Sequence, residues 1–337
     1  MTSASNQLSA TDVVIEDKLI ELMTNFVKKT VALGLQGLLK EYTDLRAQSE
    51  TADTVEKTTF SANPTKNRYK DIPCVEKTRV KLKWPMINQK YGDYIHANRV
   101  DDMPGVRGGM ILTQGPMQTT VEDFWRMIWQ EKSQAIVMLC SVMENGKKKC
   151  EQYFPAEKGG VLKDEGKVFA VTNVEGKKEG LQTEEDLVYT QLMMEAKKST
   201  GKVGKHIVNH VLWTGWPDKA VPLTASGAMV LLQKISKYDS IVIHCSAGVG
   251  RTGTIAAIKI CWSALMAGEE LNVFETVKKL RSKRYLACQT DLQYLYIHMA
   301  LLSFITSKGV MNKEESLKTF FQQYQALVKA RIAAGEK

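Results

Sequence analysis

Five residues separate Cys245 from Arg251 in "SIVIHCSAGVGRTGT", residues 240–254, and that pairing suits chemistry on an anion. Ile241, Val242 and Ile243 form a β-branched run of the kind found in buried strands. From Thr254 the spacing turns helical, with Ile255, Ile258, Trp262 and Leu265 on one face. Gly248, Gly250 and Gly253 permit backbone angles that other residues resist. The sequence thus describes a strand, a tight loop and a helix start. Such a loop presents unpaired N–H groups and binds anions before any side chain contributes. Arg251 adds a planar fork matched to two phosphate oxygens. A cysteine in that field favours the thiolate, the nucleophilic form. The chemistry this predicts is attack on phosphorus.

A cysteine alone at a strand end is more often a buried structural residue. Ser246, Ala247, Gly248, Val249, Gly250 and Thr252, lying between or beside Cys245 and Arg251, favour the functional reading. A nucleotide-binding loop of the Walker type is excluded, because no Lys follows the glycines as that pattern requires. A second local signal is "TDLQ" at 290–293, which fits a capping box with Thr290 as N-cap and Gln293 at N3.

Elements that hold this loop must come from the rest of the 337 residues, enough for one large α/β domain with extensions. Hydrophobic content of 44% and charged content of 25% are those of a globular protein. The six cysteines show no C-x-x-C pairing and no metal-ligand spacing with the five histidines, so neither metal nor cofactor is expected. That usage fits a reducing compartment. No apolar run reaches a membrane span of roughly 18 residues. "MTSASNQLSATDVV" lacks the features of a signal peptide, so the cytoplasm is the expected location. The net charge of +9 is spread over clusters such as Lys147–Lys149 and "KKLRSKR" at 278–284, which read as solvated surface able to steer acidic substrates. No aromatics interleave with them as a single-stranded nucleic-acid groove would require.

Residues 1–10 read as disordered, and Leu19, Leu22 and Phe26 have helical spacing up to about Gln48, with Gly34 and Gly37 as expected breaks. Residues 49–59 read as a polar linker. Strand-like runs follow at 136–140, 167–174, 186–194 and 206–213, and an amphipathic basic helix at 312–335. The expected organisation is an N-terminal helical extension and linker (1–59), a catalytic domain (60–305) and a basic helical tail (306–337). The two extensions are expected to bind other proteins or acidic surfaces.

At residues 60–303 the chain resembles the cytoplasmic, non-receptor protein tyrosine phosphatases. "HCSAGVGRTG" resembles their phosphate loop, "WPD" (216–218) their acid loop, "KNRY" (66–69) their phosphotyrosine-recognition loop and "QTDLQY" (289–294) their glutamine loop. "DYIHAN", "QGP", "FWRMIW" and "KCEQYFP" match in the expected order. The resemblance implies an α/β fold, a highly twisted mixed β-sheet flanked by helices, with the phosphate loop between a strand and a helix. It implies hydrolysis of phosphotyrosine in proteins through a phosphocysteine intermediate, without metal.

The same resemblance assigns roles. Cys245 is the nucleophile, Arg251 and the backbone of Ser246–Gly250 hold the phosphate, Trp216 belongs with the substrate-binding residues, and Asp218 is the general acid and then base. Tyr69 walls a deep slot and Asp71 binds the substrate main chain. Gln289 and Gln293 place the hydrolytic water, and Thr252 stabilises the leaving thiolate. His244, Glu144 and Lys149 support the loop. Three positions depart from the pattern: His96 replaces an Asn at a packing position, Lys219-Ala220 stand where an aromatic or His and then Gly are common, and Leu286 replaces a Gly. The rival readings are a catalytically silent phosphotyrosine-binding module, a Cys-x5-Arg phosphatase for a non-protein phosphate, and an interaction scaffold confined to the N-terminal extension. Intact Cys245, Arg251 and Asp218 argue against the first, and the neutral "SAGVG" with "KNRY" against the second.

Overall fold

The computed structural model describes residues 10–84, 92–104, 106, 108–164, 166, 168–175, 186–197, 201–217 and 220–335. Eleven strands are found among them: β1 (Arg79–Lys81), β2 (Tyr94–Arg99), β3 (Met110–Thr113), β4 (Ala135–Met138), β5 (Met143–Glu144), β6 (Lys147–Lys148), β7 (Val161–Lys163), β8 (Phe169–Asn173), β9 (Leu187–Lys197), β10 (Val203–Trp213) and β11 (Ile241–His244). The helices are α1 (Ala10–Ala47), α2 (Thr58–Ala62), α3 (Val121–Glu131), α4 (Ser226–Ile235), α5 (Gly250–Met266), α6 (Val273–Lys283), α7 (Asp291–Ser307) and α8 (Glu315–Ala333).

Nine strands form one mixed sheet in the order β1-β2-β3-β11-β4-β10-β9-β8-β7. The centre, β3-β11-β4-β10, is parallel, and both flanks are antiparallel. Strands β3, β4 and β11 are buried on both faces, which is why they read as unbroken apolar runs rather than alternations. The crossovers β3-α3-β4 and β10-α4-β11 run in opposite directions across the sheet. Right-handed connections therefore place α3 on one face and α4 on the other. The C-terminal ends of four parallel strands consequently meet at one edge, where ligands bind in open α/β sheets.

Helix α1 breaks where the sequence predicted one break but not the other. Gly34 has φ 59° and ψ −179°, whereas Gly37 stays helical. Residues 1–9 lie outside the described residues. Met23, Phe26, Leu38 and Leu45 of α1, with Phe320, Tyr324 and Val328 of α8, are buried in the same apolar cluster as the sheet. Both terminal helices thus complete the core to which the sheet belongs. Leu38 is fully buried, so Leu38→Ala is expected to cost about 2–5 kcal/mol. Urea unfolding followed by tryptophan fluorescence checks this, and a separate transition for α1 would contradict a shared core.

Candidate active site

The loop after β11 has its peptide groups turned so that every carbonyl from His244 to Gly250 is bonded on its outer side. Leu139 N–H donates to His244 O at 2.8 Å, Gly115 N–H to Ser246 O at 2.9 Å and Cys288 N–H to Val249 O at 3.0 Å. Thr254 Oγ1 donates to Gly250 O at 2.9 Å, and His244 Nδ1 lies 3.2 Å from Cys245 O. The two remaining carbonyls are taken by one side chain, Arg284, whose guanidinium donates to Ala247 O at 3.0 Å and Gly248 O at 2.9 Å. With the carbonyls committed outward, the loop N–H groups are free to converge on an anion. Gly248 N–H already donates to Cys245 Sγ at 3.3 Å.

Gly248 (φ +71°) permits this turn, and a Cβ there would lie 2.0 Å from Thr113 O. Gly253 lets α5 pass against the 287–288 backbone, since its Cβ would meet Cys288 N at 2.4 Å. These are the contacts that make the two glycines obligatory.

A cleft of about 310 Å³ opens over the loop, and its lining includes Cys245, Ser246, Ala247, Gly250 and Arg251 on the floor. Tyr69 and Asp71 form one wall, Gln289 and Gln293 another, and Glu144 with Lys149 a third. Arg251 is held by Glu144 in a two-point pair at 2.6 and 3.2 Å and by Leu139 O at 2.8 Å. Burial opposes its charge, but the Glu144 carboxylate outweighs burial and keeps the guanidinium protonated. Glu144 sits on the β5-β6 hairpin, whose Asn145-Gly146 turn has φ 48° and 70°, the geometry that dipeptide favours. Lys149 Nζ lies 4.0 Å from the same carboxylate.

Ser246 Oγ donates to Lys149 O at 3.0 Å, so its only proton is used, and Tyr69 Oη at 2.9 Å is the donor to Ser246 Oγ. The aromatic wall is thereby bonded to the floor. Arg68 anchors the same segment on Gly115 O and Pro116 O at 2.7–3.1 Å.

Gln293 has the capping role its sequence position predicts. Its Oε1 accepts from Gln289 N–H (2.8 Å) and Thr290 N–H (3.2 Å), while Thr290 Oγ1 accepts from Gln293 N–H. Its Nε2 remains beside Gly250 at the cleft. Tyr42 of α1 donates to Gln289 O. Thr252 Oγ1 is buried with no hydrogen-bond partner among the described residues.

Some expected site residues stand elsewhere. Asp218, with Lys219, lies outside the described residues. Trp216, grouped by its motif with substrate binding, is an anchor: it is buried between Trp213 and Tyr296 at 5.1 and 5.3 Å, and its Nε1 donates to Ala220 O. The Val249 side chain is buried with Tyr285 and Ile72 under the loop. His244 faces away from the cleft. Tyr153 Oη bridges His244 Nε2 (2.8 Å) and His210 Nε2 (2.7 Å).

Two residues were missed. Arg284 is fully buried, and its remaining contacts are Asn98 Oδ1 (2.8 Å) and His96 Nδ1 (3.0 Å). Its sequence signal, a basic cluster, pointed to surface. His96 is more than a packing substitution: neutral, it accepts from Arg284 at Nδ1 and donates through Nε2 to Ile72 O at 2.8 Å. Leu286, at φ 58°, lines a separate cavity of about 750 Å³ with Arg46, Arg281 and Gln289. Arg281 is engaged there by Ala287 O, Cys288 O, Ser49 and Tyr42.

The sequence profile described as protein-tyrosine phosphatase matches residues 63–303, and this chain belongs to that family. It is 33% identical over 300 residues to human tyrosine-protein phosphatase non-receptor type 9, covering 84% of this chain and 48% of the relative. Against human non-receptor type 12 the identity is 34% over 303 residues, covering 84% of this chain and 37% of that one. The chain therefore spans about half the length, or less, of these curated relatives. A solved structure described as "Structural basis of PTPN18 fingerprint on distinct HER2 tyrosine phosphorylation sites" superposes with a TM-score of 0.69 at 27% identity, covering 80% of this chain and 95% of the other. The mixed sheet with flanking helices is the fold this family implies.

The buried histidines give a pH dependence. Burial, with Arg284 nearby, pushes His96 down to about 3. Burial likewise pushes His210 to about 3 and His244 to about 4. Their unfolded counterparts titrate near 6.5. Below that pH the unfolded chain takes up protons that the folded chain refuses. Stability is thus full above about pH 7 and falls as pH drops toward 4, by up to about 1.4 kcal/mol per pH unit for each histidine. Urea unfolding at pH 7.5, 6 and 5 measures this, and a flat response is the contrary result.

Proposed function

We propose that this chain hydrolyses phosphotyrosine in proteins by a two-step phosphocysteine mechanism. The observation that supports it most is the loop of outward-bonded carbonyls with Cys245 at its centre and Arg251 at its edge. The phosphate enters the cleft with its oxygens on the loop N–H groups and the Arg251 fork, and the phenyl ring lies along Tyr69. The Cys245 sulfur attacks phosphorus opposite the tyrosyl oxygen, so that a sulfur–phosphorus bond forms as the phosphorus–oxygen bond breaks. Asp218 gives its proton to the departing phenolate. In the second step Asp218 takes a proton from water, which attacks the cysteinyl phosphate from a position set by Gln289 and Gln293. Phosphate is released, and the thiolate leaves with the Thr252 hydroxyl beside it. Asp71, at the rim, takes the substrate's main-chain N–H groups.

Tyrosine-phosphorylated signalling proteins are the proposed substrates, and the cytoplasm the proposed location. Among the described residues no helix is long and apolar enough to cross a membrane. The loop residues Ser246–Gly250 are uncharged, which favours an aryl monoester over a polyanionic inositol phosphate.

Cys245→Ser is expected to abolish turnover of a phosphotyrosine peptide while leaving the peptide bound. Arg251→Lys, which keeps charge but loses the fork, impairs both binding and turnover. Asp218→Ala is expected to lower kcat by roughly 10²–10⁴ with little change in KM, more for poor leaving groups than for p-nitrophenyl phosphate. Activity is expected to survive EDTA and to be blocked by vanadate. Hydrolysis by Cys245→Ser, or loss in EDTA reversed by a divalent metal, sinks the mechanism. Asp218→Ala used as bait in lysate identifies substrates.

A further inference from the structure

The backbone that leads into Gln289 is strained and closely tied. Leu286 and Cys288 both adopt left-handed conformations, φ 58° and 59°, which leucine and cysteine take only where their surroundings impose them. Arg281 of α6 donates through Nε to Ala287 O at 3.1 Å and through Nη2 to Cys288 O at 2.8 Å. The Cys288 N–H donates to Val249 O of the phosphate loop at 3.0 Å. Gln293 Oε1 takes the N–H groups of Gln289 and Thr290. Of the carbonyls at 287–289 one is left, that of Gln289, and its partner is the Tyr42 hydroxyl. Both peptide planes that meet at the Gln289 Cα are thereby held at both ends, by Arg281, Gln293 and Tyr42. This fixes the direction in which the Gln289 side chain leaves the backbone, and Gln289 lines the cleft with Cys245 and Arg251.

Tyr42 belongs to α1, before residue 63, where the family match begins. It is buried, and its one proton goes to Gln289 O while its oxygen accepts from Arg281 Nη2 at 3.2 Å. The guanidinium that holds Cys288 O therefore also orients the hydroxyl. Arg281 Nη1 is in turn bonded to Ser49 Oγ, just beyond α1, at 3.0 Å. Burial pushes the Tyr42 hydroxyl up to about 12, so it keeps its proton and remains a donor at neutral pH. Packing α1 against α7 needs only the ring, which lies 5.8 Å from that of Tyr294. The hydroxyl acts on the Gln289 peptide instead.

We propose that Tyr42 is a positioning residue for the second chemical step, holding Gln289 where it places water over the cysteinyl phosphate. The proposal rests on the reading of Gln289 as a water-placing residue. In that step the water oxygen bonds to phosphorus as the sulfur–phosphorus bond breaks. The electron pair of that bond returns to Cys245 as thiolate, and one water proton passes to the general base. Tyr42 touches neither substrate nor reacting atoms and acts through the Gln289 backbone. The first step uses no water, so it is independent of Tyr42.

Tyr42→Phe keeps the buried ring and removes one donor. In the full chain, phosphoenzyme is formed from a radiolabelled phosphotyrosine peptide, chased with unlabelled peptide and quenched in acid. Formation is expected at the wild-type rate and decay about 5-fold slower, the equivalent of one hydrogen bond. kcat and KM then fall by the same factor, leaving kcat/KM unchanged, since that ratio reports only the steps up to the phosphoenzyme. A tyrosine that merely anchors α1 would, once weakened, slow formation as well. In the Gln289→Ala background, Tyr42→Phe is expected to slow decay no further. Wild-type decay in Tyr42→Phe, slowed formation, or additive slowing in the double variant overturns the proposal and leaves the reading of Gln289 standing. Wild-type decay in Gln289→Ala alone overturns that reading, and the proposal with it.

Discussion

The site depends on one buried guanidinium. A loop of seven peptide groups converges its N–H ends on one point only if its carbonyls have partners elsewhere, because unpaired buried carbonyls cost about 1–3 kcal/mol each. Five of the seven find them in neighbouring backbone or in local side chains. The remaining two, Ala247 and Gly248, depend on Arg284. Among the described residues none of its hydrogen-bond acceptors is a carboxylate, and burial lowers its pKa. A buried cation beneath the cleft floor favours negative charge above it.

Strand order explains how such a loop acquires its partners. β11 lies between β3 and β4 in the sheet, and the residues just after those neighbours supply Gly115 N–H and the Leu139 N–H and C=O. The same edge receives the end of β10, from which the Trp216 segment continues. Elements distant in sequence meet there because parallel strands of opposite crossover direction end together. The terminal helices add a second layer, with Tyr42 on Gln289 O and Tyr324 on Pro222 O.

Much of this was legible beforehand, for identifiable reasons. The strand–loop–helix around Cys245 was visible because β-branched burial, glycine and helical period follow one another within 25 residues. The capping box at Thr290 was visible because it is local. Arg284 was not: "KKLRSKR" holds five cations that look alike in sequence, and only the fold turns Arg281 and Arg284 inward while their neighbours Lys279 and Ser282 face out. His96 was read as packing because its two partners, Ile72 O and Arg284, lie 24 and 188 residues away. Long-range polar pairing leaves no periodic trace. The role of the extensions was hidden likewise, since an amphipathic stripe announces burial without saying against what.

The hydrogen bonds separate the cleft from the Trp216 segment. Tyr69 is bonded to Ser246 of the floor, and the Ile72 carbonyl three residues on is bonded through His96 to Arg284, which itself holds the floor. Wall and floor therefore form one closed ring of contacts, so the width of the cleft and the position of its floor are coupled. The Trp216 segment is outside that ring. It is fixed at Thr214 and at Pro222–Thr224, with Trp216 packed on Trp213 and Tyr296 between. The Tyr69 wall and the Trp216 segment thus rest on separate sets of bonds. The ring of wall and floor therefore does not depend on the contacts that hold the Trp216 segment.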